Sequence, residues 1–211
     1  MSELRRIVLV RHGETDGQSS TRFQGSTDVD LSSEGEHQMK AVAASFGQEH
    51  FDCVVASSLR RSWRSAHLAG RGAAVRIESD FREIDFGRWE GLTREEIQAS
   101  DPVLYEDWQA KAPGFEFPNG EARAAFRARV EAGLERLLAG RVGSALLVLH
   151  KGVIRTIVEK LTGEAFDGAG PELGETLELH RERDGWVRGR KSSNPESVDA
   201  NVSLEVEVPA A

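Results

Sequence analysis

Cysteine occurs once in this chain of 211 residues, at Cys53, and methionine twice. A lone thiol excludes an intrachain disulfide and a cysteine-based metal cluster, and it suits a reducing compartment. Its setting, Phe51-Asp52-Cys53-Val54-Val55, reads as a core strand. Long apolar runs are also missing, and none approaches the roughly 20 residues that cross a bilayer. The start does not read as a signal peptide, because Arg5-Arg6 precede only the short run Ile7 to Val10. Together these features predict a cytoplasmic protein with no membrane partner. Positive charge is the minority sign: 27 Lys and Arg against 35 Asp and Glu give a net charge of -8. That argues against a nucleic-acid partner. There is no P-loop, no dinucleotide glycine pattern and no His-Glu-x-x-His, so nucleotide-motor, dehydrogenase and zinc-protease readings have no support. No internal repeat is visible.

What is present suits one α/β domain spanning 1–211, since 39% of the residues are hydrophobic. Residues 6–10 read as a strand, followed by a polar, Gly-rich loop over 17–31. A helix starts at Ser32 or Ser33, with Ser33-x-x-Glu36 as a capping box. A strand at Cys53–Ala56 leads to a helix that Ser57-Ser58 should cap, with Leu59, Trp63 and Ala66 at helical spacing. Val75 and Ile77 suggest a short strand. Thr93-x-x-Glu96 is a second capping box, and Asp101-Pro102 reads as an N-cap with proline at the first helical position. Asn119 should open a long helix, because Phe126, Val130, Leu134, Leu137 and Leu138 recur every three or four residues. A strand at Ser144–Leu149 and a helix carrying Val153, Ile154, Ile157, Val158 and Leu161 follow. Leu177 and Leu179 alternate with charged residues, and Asp184-Gly185 should turn a hairpin into Trp186-Val187. Residues 192–211 read as a polar C-terminal extension. Within it, Leu204, Val206 and Val208 could add an edge strand, and that strand could serve a homodimer.

Short apolar strands joined by crossover helices argue a mostly parallel central sheet in a three-layer α/β/α sandwich. Ligands of such sheets bind beyond the carboxyl ends of the strands. His12 follows the first strand and His150 follows the last parallel one, so both reach the same edge. Arg11 flanks His12, and Arg60 and Arg61 lie in the first turn after the second strand. Guanidinium forks suit phosphate oxygens, and Gly13 should let the backbone approach a ligand. A phosphate monoester is the simplest ligand for such a site. A neutral imidazole is a nucleophile near neutral pH, and arginines supply the charge stabilisation that phosphoryl transfer needs without a metal.

Four stretches in order carry a family resemblance: "VLVRHGET" at 8–15, "SSLRRSWRSA" at 57–66, "FREIDFGRWEGLT" at 81–93 and "LHKGVIR" at 149–155. "RFQGSTDVDLSSEG" at 22–35 and "FPNGEA" at 117–122 support them. The chain resembles the histidine phosphatase superfamily, the phosphoglycerate-mutase-like group. The resemblance implies that His12 takes the phosphoryl group. It implies that Arg11, Arg61 and His150 hold the phosphate, Arg61 being the arginine of Ser-x-Leu-x-Arg. It implies that Glu83 protonates the leaving oxygen and that Arg22 adds an outer contact. It implies a helical cap over about 92–120, and neither metal nor cofactor. Around Glu83, Phe81, Ile84, Phe86 and Trp89 should form an apolar and aromatic wall that desolvates the carboxyl.

Departures from the family pattern are Lys151, where a small residue is usual, a loop after Thr15 without the Trp-Asn pair, and a C-terminal stretch without the Asn-centred strand entry. Asp28-Val29-Asp30 looks like an aspartate-phosphatase motif but lacks a preceding apolar strand. His37, His50, His67 and His180 have no comparable context. The activity expected is hydrolysis of a small phosphorylated metabolite through phosphohistidine. A phosphoglycerate-type mutase is the runner-up, disfavoured because only about thirty residues separate Gly91 from Glu121. A non-catalytic phospho-ligand binder is the third reading, and it would have no use for Glu83.

Overall fold

The computed structural model describes residues 3–166 and 170–189. The elements run β1 (Arg6–Arg11), α1 (Ser33–Ser45), β2 (Cys53–Ala56), α2 (Arg60–Ala69), β3 (Val75–Ile77), α3 (Arg94–Ser100), α4 (Pro102–Gln109), α5 (Arg123–Leu138), β4 (Ser144–Leu149), α6 (Lys151–Thr162), β5 (Thr176–Glu182) and β6 (Gly185–Arg188). The six strands form one sheet in the order β3-β2-β4-β1-β5-β6. β3, β2, β4 and β1 are mutually parallel, whereas β5 runs antiparallel to β1 and to β6.

Side chains of a strand point alternately to the two faces, and the apolar runs fill both. Ile7, Leu9, Val55, Leu147 and Leu149 meet α5 and α6 on one face. Val8, Val10, Val54, Leu146 and Val148 meet α1 and α2 on the other. The sandwich therefore has three layers, as the sequence predicts. A third apolar cluster lies apart, under α3 and α4, around Trp89, Ile97, Tyr105 and Phe115, with Phe23, Phe86, Trp108 and Phe117 against it. Among the described residues no helix is long and apolar enough to cross a membrane.

Several local expectations are corrected. Ser32, not Ser33, caps α1, accepting from the Gly35 N–H at 3.1 Å, and Glu36 instead pairs with Arg64 at 2.7 Å. Ser57 and Ser58 do not cap α2, where Leu59 takes the N-cap position without a side-chain bond. Trp63 turns outward, 40% exposed. Thr93 and Glu96 do form the capping box of α3. Asp101 holds the N-cap position of α4 ahead of Pro102, but its carboxylate accepts from Arg88 and from the Trp89 indole N–H at 2.9 Å. The long helix begins at Arg123, not Asn119. Asn119 sits in the left-handed region, in a turn bound to the segment before Trp89 through Arg88 N–H to Pro118 O and Glu121 N–H to Asp85 O. The hairpin pairs Glu182 with Gly185, so its turn is Arg183-Asp184, one residue earlier than expected. The extension at 192–211, with Leu204, Val206 and Val208 and the dimer contact drawn from them, lies outside the described residues.

The start of α1 packs backbone to backbone on the turn after β1. A Cβ on Gly35 would lie 2.1 Å from Glu14 O, and one on Gly13 would lie 2.5 Å from Gly35 O. Space, not backbone conformation, demands glycine at both positions. Gly35→Ala should cost about 1–3 kcal/mol, the usual cost of overpacking. Urea unfolding at constant m-value checks this, and a loss below about 0.5 kcal/mol would mean that the turn and helix part easily.

Candidate active site

β1 and β4 pair in register, Arg11 opposite Leu149, so the residues that follow each strand emerge side by side. His12 donates its backbone N–H to Leu149 O at 2.9 Å. The His12 and His150 rings lie 5.1 Å apart at 62°. Both are buried. His12 Nδ1 lies 2.7 Å from Gly13 O. A carbonyl only accepts, so Nδ1 carries the proton and Nε2 keeps its lone pair. Burial, with Arg61 and then Arg11 adding to it, holds the His12 imidazole well below the usual 6.5, against the opposing Gly13 carbonyl. The ring is held neutral, with the Nε2 lone pair free.

Arg61 is fully buried at the start of α2. Its Nη1 donates to Thr27 O at 2.7 Å, and its Nη2 donates to Gly25 O at 2.6 Å and Gln24 O at 3.1 Å. Those carbonyls belong to the loop between β1 and α1, which the guanidinium pins. Burial lowers its pKa to about 10, with Glu83, Glu90 and Asp28 countering, so it remains a cation at neutral pH. Arg11 donates Nη1 to Pro171 O at 3.1 Å, and burial lowers its pKa too. Arg11 Nε, Arg61 Nε and His150 Nδ1 are all buried without a partner among the described residues. Buried polar atoms rarely go unsatisfied. Three residues expected to hold phosphate thus each carry a buried nitrogen that no described residue satisfies.

Glu83 is buried beside them. Its oxygens are met by peptide N–H groups, Gly152 at 2.9 Å and Ile84 at 3.0 Å, not by a bare apolar wall. Phe81 and Ile84 do belong to the main core, but Trp89 belongs to the cluster under α3 and α4. Gly13 departs from expectation. Its N–H goes to Ser65 Oγ at 3.2 Å, and the space beside it is filled by Gly35, so its missing side chain admits a helix and not a ligand. Arg22 stands outside the buried set, with Nη1 on Gly91 O at 2.6 Å and Glu96 at 2.9 Å. Lys151, the first residue of α6, is half-buried next to His150. Burial and Arg11 lower its pKa, Glu172 opposes, and Arg94 and Arg155 lower it further. Asp28 binds Arg60, consistent with a structural motif.

Four contributors escaped sequence reasoning. Gly152 gives Glu83 room, since a Cβ there would lie 2.5 Å from Glu83 Oε1. Glu90 accepts from the N–H groups of Gly25, Ser26, Thr27 and Phe86 and from the Thr27 hydroxyl. Gln24 brings a buried Oε1 without a partner among the described residues. Ser57 bonds His150. All four stand inside the stretches that carry the family resemblance, but only the fold shows what they touch.

The sequence profile of the histidine phosphatase superfamily (branch 1) matches residues 7–188. Phosphoserine phosphatase 1 of Hydrogenobacter thermophilus is 32% identical over 134 residues, 63% of this chain and 64% of that relative, just under two thirds of its length. Glucosyl-3-phosphoglycerate phosphatase of Mycobacterium tuberculosis is 34% identical over 164 residues, 72% of this chain and 73% of the relative. A crystal structure of a protein described as an alpha-ribazole-5'-P phosphatase from Escherichia coli K-12 superposes with a TM-score of 0.78 at 25% identity, covering 88% of this chain and 95% of that one.

Both imidazoles are held below 6.5 in the folded chain. An unfolded histidine titrates near 6.5, so below that pH the unfolded state binds more protons and stability falls, while above it the contribution is complete. The loss at pH 5.5 has a ceiling of about 1.4 kcal/mol per histidine, set by protonating the unfolded ring alone. Urea midpoints of wild type and His12→Gln/His150→Gln, in phosphate-free buffer at pH 5.5 and 7.5, should differ by an amount that shifts with pH in this direction. A pH-independent difference would contradict neutral buried rings.

Proposed function

The chain belongs to the histidine phosphatase superfamily, and on that premise we propose that it is a metal-independent phosphoric monoester hydrolase of the histidine acid phosphatase type. It acts on a small phosphorylated metabolite, in the cytoplasm, as a single domain with residues 92–120 as a cap over the site. The unsatisfied buried nitrogens of Arg11, Arg61 and His150 beside the His12 lone pair carry this reading. A tetrahedral anion satisfies several donors at once, and the pocket already holds the charge to receive it.

In the first step His12 Nε2 attacks phosphorus and the bond from phosphorus to the leaving oxygen breaks. Glu83 gives that oxygen a proton. Water then attacks phosphohistidine, the P–N bond breaks, and Glu83 takes the water proton. Arg11 and Arg61 stabilise charge on the equatorial oxygens throughout. A mutase would pass the phosphoryl group to a sugar acid instead of water. Incubation with 3-phosphoglycerate and 2,3-bisphosphoglycerate separates the two, because isomerisation without phosphate release would favour the mutase.

Rapid quench with labelled substrate should trap acid-labile, alkali-stable label on wild type and none on His12→Ala. Acid-stable label would place the phosphoryl group elsewhere. In the same burst phase Glu83→Gln should slow phosphorylation by an alkyl phosphate roughly 10²–10⁴-fold and by an aryl phosphate far less, since a nitrophenolate leaves without help. Equal slowing would remove Glu83 as the acid.

Lys151 has the position and charge to meet a second anionic group on the substrate. Lys151→Gly should raise KM about tenfold for phosphate esters that also carry a carboxylate, the size of a charged hydrogen bond. For a simple aryl phosphate KM should stay near wild type. Equal changes in both would leave Lys151 without a role in specificity.

A further inference from the structure

Ser57 is fully buried immediately after β2. Its Oγ lies 2.7 Å from His150 Nε2. The same oxygen accepts the Leu59 N–H at 3.3 Å. Its backbone N–H donates to Ser62 Oγ at 2.9 Å, and Ser62 Oγ donates to Val148 O at 2.7 Å. Val148 stands two residues before His150 on β4. Ser57 is thereby clamped to the strand that delivers the histidine it touches.

A hydroxyl has one proton to give. Among the described residues, His150 Nε2 is the only acceptor the Ser57 hydroxyl meets. The proton therefore lies between Oγ and Nε2 as a donation from serine, and Nε2 holds a lone pair. A neutral imidazole then carries its own proton on Nδ1. Burial, followed by Arg61, His12 and Arg11, keeps His150 well below 6.5, so the neutral ring is the relevant form. Nδ1 is the atom left buried without a partner among the described residues.

His12 carries its proton on Nδ1 as well, given to Gly13 O. The two rings share a tautomer, but different atoms are left free. His12 leaves the Nε2 lone pair, suited to attack. His150 leaves the Nδ1–H, suited to bind an anionic oxygen. With the opposite tautomer, His150 would turn a lone pair on the phosphate and repel it.

We propose that Ser57 is a positioning residue that fixes the tautomer of His150, so that Nδ1–H serves as a neutral hydrogen-bond donor to the transferring phosphoryl group. The proton stays on His150, and no bond to it is made or broken in the transfer. The role in catalysis rests on the phosphatase reading above; the tautomer does not.

Long-range ¹⁵N–¹H NMR on histidine-labelled protein tests the tautomer in wild type alone, with His150→Ala assigning the signal. The spectrum should show a protonated Nδ1 and an unprotonated Nε2 at His150. The reverse pattern would overturn the proposal even if no Ser57 variant folds. In Ser57→Ala the His150 signal should move toward the Nε2–H form, and an unchanged tautomer would also overturn it. The burst rate of His12 phosphorylation by an aryl phosphate should fall about tenfold or more in Ser57→Ala, short of the roughly 10²–10³-fold that loss of a whole electrostatic donor costs. In a His150→Ala background the same substitution should cost almost nothing further. Full additivity of the two losses would assign Ser57 an effect independent of His150 and defeat the proposal. Absence of any burst in wild type would sink the phosphatase reading instead, with the NMR result still deciding the tautomer.

Discussion

The six-residue parallel register of β1 on β4 is the constraint on which the rest depends. A slip by one residue would turn every side chain of β1 to the other face. Ile7 and Leu9 would leave α5 and α6, and Val8 and Val10 would leave α1 and α2. Both faces are dry, so the penalty is not a polar residue in the core but a mismatch of shape on two sides at once. The register so fixed brings the residues after each strand, His12 and His150, side by side. The geometry of the candidate site is in this sense a by-product of how two aliphatic strands pack.

Around those rings the molecule concentrates charge against its own average. The chain carries a net -8, yet its pocket holds two buried guanidiniums and, among its described ionisable groups, one buried carboxylate in Glu83. Burying cations costs solvation. Arg61 recovers part of it from three carbonyls and Arg11 from one. What remains unsatisfied is what an anion would satisfy.

The layers and most element positions were legible because they rest on periodicity: apolar runs in β1 and β4, a three-to-four spacing in α5, a capping box at Thr93. The histidines were legible because they follow strands. What escaped was decided by partners distant in sequence. Asn119 looks like a helix opener, but residues 117–121 are bound to 85–88, and the helix waits until Arg123. Ser57 looks like a cap, but a histidine 93 residues away claims its hydroxyl. Gly13 looks like room for a ligand, but α1 occupies that room. Asp101 looks like a cap, but an indole and a guanidinium reach it first. Short polar side chains have several local uses, and only the fold chooses among them.

The loop from Gln24 to Thr27 is stretched between opposite charges. Its N–H groups point at Glu90 and its carbonyls at Arg61. The peptide planes stand in line as small dipoles between a carboxylate and a guanidinium that never touch. Such a strap has a polarity. Exchanging the two charges would leave the overall charge unaltered while setting the Gln24-Gly25 and Gly25-Ser26 peptides against their neighbours at both ends. The loop behaves like a compass needle between fixed poles, and the direction it records is set by the buried cation on one side and the carboxylate on the other.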